Sequence, residues 1–137
     1  MIVVDTNVIA YLLIRTLHSA ESDRALALDR DWAAPYLWRS EFRNVLLQYL
    51  IAGRMDVVTA LEYARDAQLL LHGREYNVDA AAVLPLAVQS NCSAYDCEFV
   101  ALAQSLGVPL VTSDRKLAAR FKSTAIHLRD FVRASRP

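Results

Sequence analysis

MIVVDTNVIAYLL, residues 1–13, sets the aliphatic run Ile2, Val3 and Val4 against a carboxylate, Asp5, and then resumes its apolar course from Val8. A short β-branched run bounded by polar residues reads as a strand buried on both faces, as in a parallel sheet. The spacing that follows predicts a helix over about Asn7–Ile14. A carboxylate between two apolar segments is unfavourable to bury alone. Asp5 therefore caps the helix, pairs with a cation of the protein, or helps to hold a metal ion, and the first stretch leaves all three open.

Working outward, the alternation of strand and helix repeats. Ser19 to Asp29 reads as a helix with Ser19 or Ser22 as its cap, and WAAP at 32–35 as a second strand. YLWRSEFRNVLLQYLIAG at 36–53 is a long helix with an apolar stripe of Trp38, Phe42, Val45, Leu46 and Tyr49, ending at Gly53. A helix over about 56–71, a weak strand at 75–78 and a helix at 79–90 interrupted by Pro85 follow. A helix from Ala94 to Leu106 is closed by Gly107, VPLVTS at 108–113 is the best strand after the first, and DRKLAARF is helical. AIHL at 125–128 reads as a last strand before a short helix or tail. Strands alternating with helices predict an α/β fold with a mainly parallel central sheet between helical layers.

The composition predicts one domain over 1–137: 55% of the residues are hydrophobic, only 3 Gly and 4 Pro occur, and neither a linker nor a repeat is visible. The first apolar run lacks a basic flank and is broken by Asp5, Thr6 and Asn7, so it reads as neither a signal peptide nor a membrane span, and a cytoplasmic protein is expected. Cys92 and Cys97 suit neither a zinc ribbon nor a disulfide framework, and His18, His72 and His127 form no ligand pair. Charge balances at 15 basic against 15 acidic residues. After Asp114, however, the chain carries Arg115, Lys116, Arg120, Lys122, Arg129, Arg133 and Arg136 against the single acid Asp130. That flank is either a solvated face with helix-end cations or a modest footprint for a phosphate backbone.

Four carboxylates then stand out. In open α/β sheets, ligands bind beyond the carboxyl ends of the strands. Asp5 ends the first strand and Asp114 follows VPLVTS, so both belong to that edge. Asp5 and Asp114 can each be a cap, and Ser93 with Asp96 matches a capping box. Glu41 is not explained that way: it lies at the rim of the apolar stripe, beside Asn44 and away from Arg39 and Arg43. If the four converge, mutual repulsion raises the pKa of some of them unless a divalent cation compensates. An oxygen-only donor set suits Mg²⁺ or Mn²⁺.

These residues resemble the PIN-domain ribonucleases, in particular the VapC-like toxins of bacterial toxin–antitoxin pairs. VVDTN, WRSEFRNVL, SAYDCEFVALA and LVTSD look like the family's four motifs, in order and along nearly the whole chain. The resemblance implies a PIN-like three-layer α/β/α sandwich, an acidic site of Asp5, Glu41, Asp96 and Asp114, and support by hydrogen bonds from Thr6, Asn7 and Thr112. It implies Mg²⁺-dependent hydrolysis of RNA. Asp5 and Asp96 are then the main metal ligands, with Glu41 and Asp114 serving a second ion or orienting the attacking water. Some relatives carry a further acid two residues after the last aspartate. Lys116 stands there instead, so that Arg115 or Lys116 becomes a candidate phosphate contact.

Two other functions fit parts of the pattern. A haloacid-dehalogenase-type phosphotransferase also uses an Asp after its first strand, but wants a second Asp where Asn7 stands. A PIN-like RNA-binding scaffold would have lost acids, and all four are present. A small antitoxin is the partner implied by the resemblance. The apolar-rich helices at 37–52 and 56–71 add the expectation of a homodimer. No aromatic array for stacking RNA bases is visible in the sequence.

Overall fold

The computed structural model describes residues 1–135, so Arg136 of the basic flank lies outside the described residues. Five strands, β1 (Ile2–Val4), β2 (Trp32–Pro35), β3 (Glu75–Tyr76), β4 (Leu110–Thr112) and β5 (Ala125–His127), form one sheet in the order β3-β2-β1-β4-β5. Every pairing is parallel, with Val3 beside Ala33 on one side and Val4 beside Val111 on the other. All of β1, β2 and β4 is buried, which is why these strands read as unbroken apolar runs.

Among the described residues, eight helices connect and flank the strands: α1 (Thr6–Leu13), α2 (Ser19–Leu28), α3 (Leu37–Ile51), α4 (Val57–Leu70), α5 (Ala80–Ser90), α6 (Ala94–Leu106), α7 (Arg115–Arg120) and α8 (Leu128–Ala134). α1 packs against α2, α3 and α4, and α2 reaches α8; α6 lies along β1, β2 and β4 with α5 against it. Phe99 to Ala103 of α6 are all buried, as befits a helix enclosed on every side. Trp32, Trp38, Phe42 and Phe99 are the largest buried side chains of the core. Gly107 closes α6 at φ +66°, a left-handed conformation that glycine adopts without strain. No helix among the described residues is long and apolar enough to cross a membrane.

Two local expectations are corrected. The strand expected over 75–78 stops at Tyr76, because its only neighbour, β2, ends at Pro35 directly opposite. Neither Ser19 nor Ser22 caps α2: the Ser19 hydroxyl accepts from Thr16 N at 2.8 Å, and Ser22 donates to the Val8 carbonyl at 3.0 Å. Ser22 instead ties α2 to the first turn of α1, and Ser19 ties it to the loop that follows α1.

For function, the important feature is the order of the strands. From β1 the chain steps outward through β2 to β3, then returns to the other side of β1 for β4 and β5. The connections leaving β1 and β4 therefore diverge, opening a crevice at their carboxyl ends.

Candidate active site

Asp5 directly follows β1 and Asp114 stands two residues beyond β4, so the crevice begins between two carboxylates. α6 brings Asp96 to it in its first turn, where Ser93 caps the helix by accepting from Asp96 N at 3.0 Å. α3 brings Glu41, which sits half-buried beside the buried Trp38 and Phe42. All four acids line one open cleft of about 520 Å³, together with Thr6 and Asn7.

A network of side chains fixes them. Asp5 Oδ1 accepts from Thr6 N at 2.9 Å, so Asp5 does cap α1. Its Oδ2 accepts from the Thr112 hydroxyl at 2.7 Å and, more weakly, from Asn7 Nδ2 at 3.5 Å. Having donated its proton to Asp5, Thr112 Oγ1 accepts from Asp114 N at 3.0 Å and so couples the two strand ends. Thr6 Oγ1 donates to Glu41 Oε1 at 2.7 Å, linking α1 to α3. Asn7 Oδ1 accepts from Ser113 N at 3.2 Å, and Asp114 Oδ1 caps α7 through Lys116 N and Leu117 N.

Electrostatically the cleft is uncompensated. Among the described residues, none of the four acids forms an ion pair, which removes the second of the three explanations for Asp5. Burial raises the Asp5 carboxyl to a pKa of about 6; the bonds from Thr112 and Thr6 oppose this, and Asp96 and Asp114 add to it. Burial likewise raises Glu41 and Asp96, against hydrogen bonds from Thr6 and Ser93 respectively, with further repulsion from Asp5 and Asp96 on Glu41 and from Asp114 on Asp96.

The donor set fits a hard divalent cation by its chemistry: four carboxylates with an amide and hydroxyls, and neither His nor Cys lining the cleft. As they stand, no three His, Cys, Asp or Glu side chains among the described residues are gathered closely enough to grip an ion. Both oxygens of Asp5 and one each of Glu41 and Asp114 accept from donors of the protein. An incoming cation would have to compete with those bonds.

Thr112 lies behind the cleft as the buried donor to Asp5. Arg115 and Lys116, the candidate phosphate contacts, are exposed on α7, outside the cleft's lining. The lining also includes residues not singled out for the site from the sequence: Leu37, Ser40 and Val45 on α3, and Tyr95 on α6. Tyr95 is 64% exposed, immediately before Asp96. An aromatic side chain directly before a candidate acid was the available signal, but it becomes informative only once the cleft is known.

The sequence pattern of the PIN domain matches residues 2–122. Ribonuclease VapC3 of Pyrobaculum aerophilum is 28% identical over 123 residues, which are 88% of this chain and 94% of that protein. Among solved structures, PAE2754 from Pyrobaculum aerophilum superposes with a TM-score of 0.77 at 25% identity, covering 97% of this chain and 94% of its own. FitAcB from Neisseria gonorrhoeae superposes at 0.70 with 18% identity over 94% of this chain and 99% of its own, a likeness of fold alone.

Proposed function

The chain belongs to the PIN-domain family, and on that premise we propose that it is a metal-dependent endoribonuclease, acting as one PIN-like domain in the cytoplasm as the toxin of a toxin–antitoxin pair. The observation that carries this is the four-carboxylate cleft at the switch point of the sheet, in which no acid is ion-paired among the described residues. The relative named Ribonuclease VapC3 supports the choice of substrate and of toxin class.

Asp5 and Asp96 are the residues to hold Mg²⁺ or Mn²⁺, one fixed by a strand end and the other by a helix start; Glu41 and Asp114 complete the set or orient water. When bound, such an ion polarises the phosphodiester and neutralises the charge that develops on it. The chain does the rest. Thr112 and Thr6 N hold the Asp5 carboxylate in one orientation, Thr6 Oγ1 aims Glu41, and the Asn7 amide anchors the loop that carries Asp114. Tyr95 and Leu37 offer an apolar wall on which a base flanking the scissile bond can stack.

Silencing such an enzyme calls for a partner that supplies the missing positive charge. An Arg from a small cognate antitoxin, forked onto Asp5 and Asp96, would satisfy both carboxylates and exclude the metal. Leu47, Ile51, Val57, Val58 and Leu61, all strongly exposed on α3 and α4, support self-association as a homodimer. Incubating the purified chain with total RNA, with Mg²⁺ or with EDTA, and mapping the cut ends tests the activity. Mg²⁺-dependent cleavage is expected, and cleavage undiminished in EDTA rejects the metal. Sedimentation and co-purification with the neighbouring gene product test the dimer and the antitoxin separately.

A further inference from the structure

The basic flank after Asp114 is sorted by the fold. Arg129 Nε donates to Glu21 Oε1 at 3.0 Å, so its charge is taken. Arg120 and Arg133 stand in the last turns of α7 and α8, where a cation offsets the helix dipole. Lys116 is exposed on α7 and lines neither the cleft nor its neighbour. Arg115 and Lys122 differ: both are exposed, neither forms an ion pair among the described residues, and both line a groove of about 280 Å³ between α7 and the β5–α8 segment.

This groove adjoins the acidic cleft through one short segment. Asp114 lines the cleft and Arg115, the next residue, lines the groove. His127, on the groove wall, accepts from Arg129 N at Nδ1, so its proton lies on Nε2, which donates to the Ser113 carbonyl at 3.2 Å. The wall is thereby tied to the loop whose other side is held by Asn7. Ala118, Ala119 and Ala125 leave room between the cations. A polyanion is repelled by four carboxylates and needs cations close beside them to stay bound.

We propose that this groove is a backbone subsite for the RNA strand, in which Arg115 and Lys122 hold phosphates to one side of the scissile bond. It rests on the reading of the cleft as a ribonuclease site. Asp130 is the one carboxylate in the groove and opposes those phosphates.

The test is the affinity of the full chain for a labelled single-stranded RNA oligonucleotide, in EDTA to prevent hydrolysis, across a range of salt. Arg115→Ala with Lys122→Ala is expected to weaken binding about tenfold or more at low salt. It should also flatten the slope of log affinity against log salt by about 1.4, the release of two phosphate contacts on a single strand. Asp130→Asn should tighten binding a few-fold, and Arg65→Ala, on the distant α4, should leave it unchanged. An unchanged affinity and slope in the double variant overturns the subsite, as does the same loss from Lys116→Ala alone. Failure of the ribonuclease reading shows separately, as wild-type protein that cuts no RNA with Mg²⁺.

Discussion

Two carboxylates set at the ends of parallel strands meet opposite electrostatic fates in this molecule. Glu75, in β3, accepts from Arg39 Nε at 2.6 Å, Arg39 Nη2 at 2.7 Å and Trp38 Nε1 at 2.7 Å. The Arg39 guanidinium holds its carboxyl below the usual range, against the opposing effect of burial. Asp5, after β1, is buried where Glu75 is only half so, and among the described residues it meets only neutral donors; burial above all pushes its carboxyl up to about 6. The first carboxylate is complete within the chain and serves the fold, tying α3 to the edge strand. The second has no positive partner among the described residues. A protein of this size does not leave Asp5, Glu41, Asp96 and Asp114 in one uncompensated cleft for the sake of stability, since replacing such charges by neutral groups relieves repulsion.

Substitution separates the two fates most sharply. Asp5→Asn keeps the shape and removes the charge, so RNA cleavage in Mg²⁺ should fall by about 10³-fold, the loss of several kcal/mol of metal-borne stabilisation. Its melting temperature in chelator should stay level or rise. A variant that melts several degrees lower while still cutting RNA would make Asp5 a cap and nothing more. Titration tests the same contrast without substitution. Asp5 has a folded pKa of about 6 against an ordinary 3.8, so the folded state binds the extra proton between those values. Its contribution is therefore fully present below about pH 3.8 and is lost as pH rises through 6, a swing of about 3 kcal/mol. Glu75 runs the other way: its folded pKa lies below the ordinary 4.5, so its contribution is present above 4.5 and lost as pH falls. Melts of metal-free wild type and Asp5→Asn should diverge progressively from about pH 4 to pH 6 and keep a constant gap from there to pH 8. Curves parallel over the whole range would show that Asp5 has a normal pKa.

Removing the cation from the completed pair should imitate the incomplete one. Arg39→Ala leaves Glu75 with the Trp38 indole alone, and destabilisation of about 1–2 kcal/mol is expected, less than for a fully buried pair because Arg39 is half-exposed. Denaturant melts measure it, and RNA cleavage in Mg²⁺ should be unchanged. Lost cleavage with intact stability would mean that this edge of the sheet belongs to the site.

Much of this contrast was legible before any coordinates. The apolar runs IVV at 2–4 and VPLVTS at 108–113 announced buried parallel strands, of which the second narrows to Leu110–Thr112, and Asp5 and Asp114 fell at their ends by chain order alone. Glu41 showed itself by lying on the wrong face of α3 for a solvated acid. The partners of these acids were less visible. That Thr112 serves Asp5 and Asp114 at once follows from the parallel register of β4 on β1, which no local pattern records. The compensation of Glu75 joins residues 36 and 37 positions apart and had no local signature either. The basic flank was plain as a count of charges, but which cations are paired, which sit at helix ends and which face a groove depends on the packing of α7 and α8.

The smallest expected effect probes how an uncompensated carboxylate is aimed. Thr6 Oγ1 is the side-chain donor to Glu41, and Thr6 is buried while Glu41 is only half so. In Thr6→Val the Glu41 carboxylate loses its tether but can turn toward water, so stability should fall by no more than about 1 kcal/mol. Aim is another matter, because groups that orient a metal ligand commonly contribute about tenfold or more to activity or metal affinity. Cleavage in Thr6→Val should drop about tenfold and be partly recovered by raising Mg²⁺, whereas Thr6→Ser, which keeps the hydroxyl, should stay near wild type. If valine and serine reduce cleavage equally, the methyl packing of Thr6 matters and its hydroxyl does not, and Glu41 would then be positioned by α3 alone.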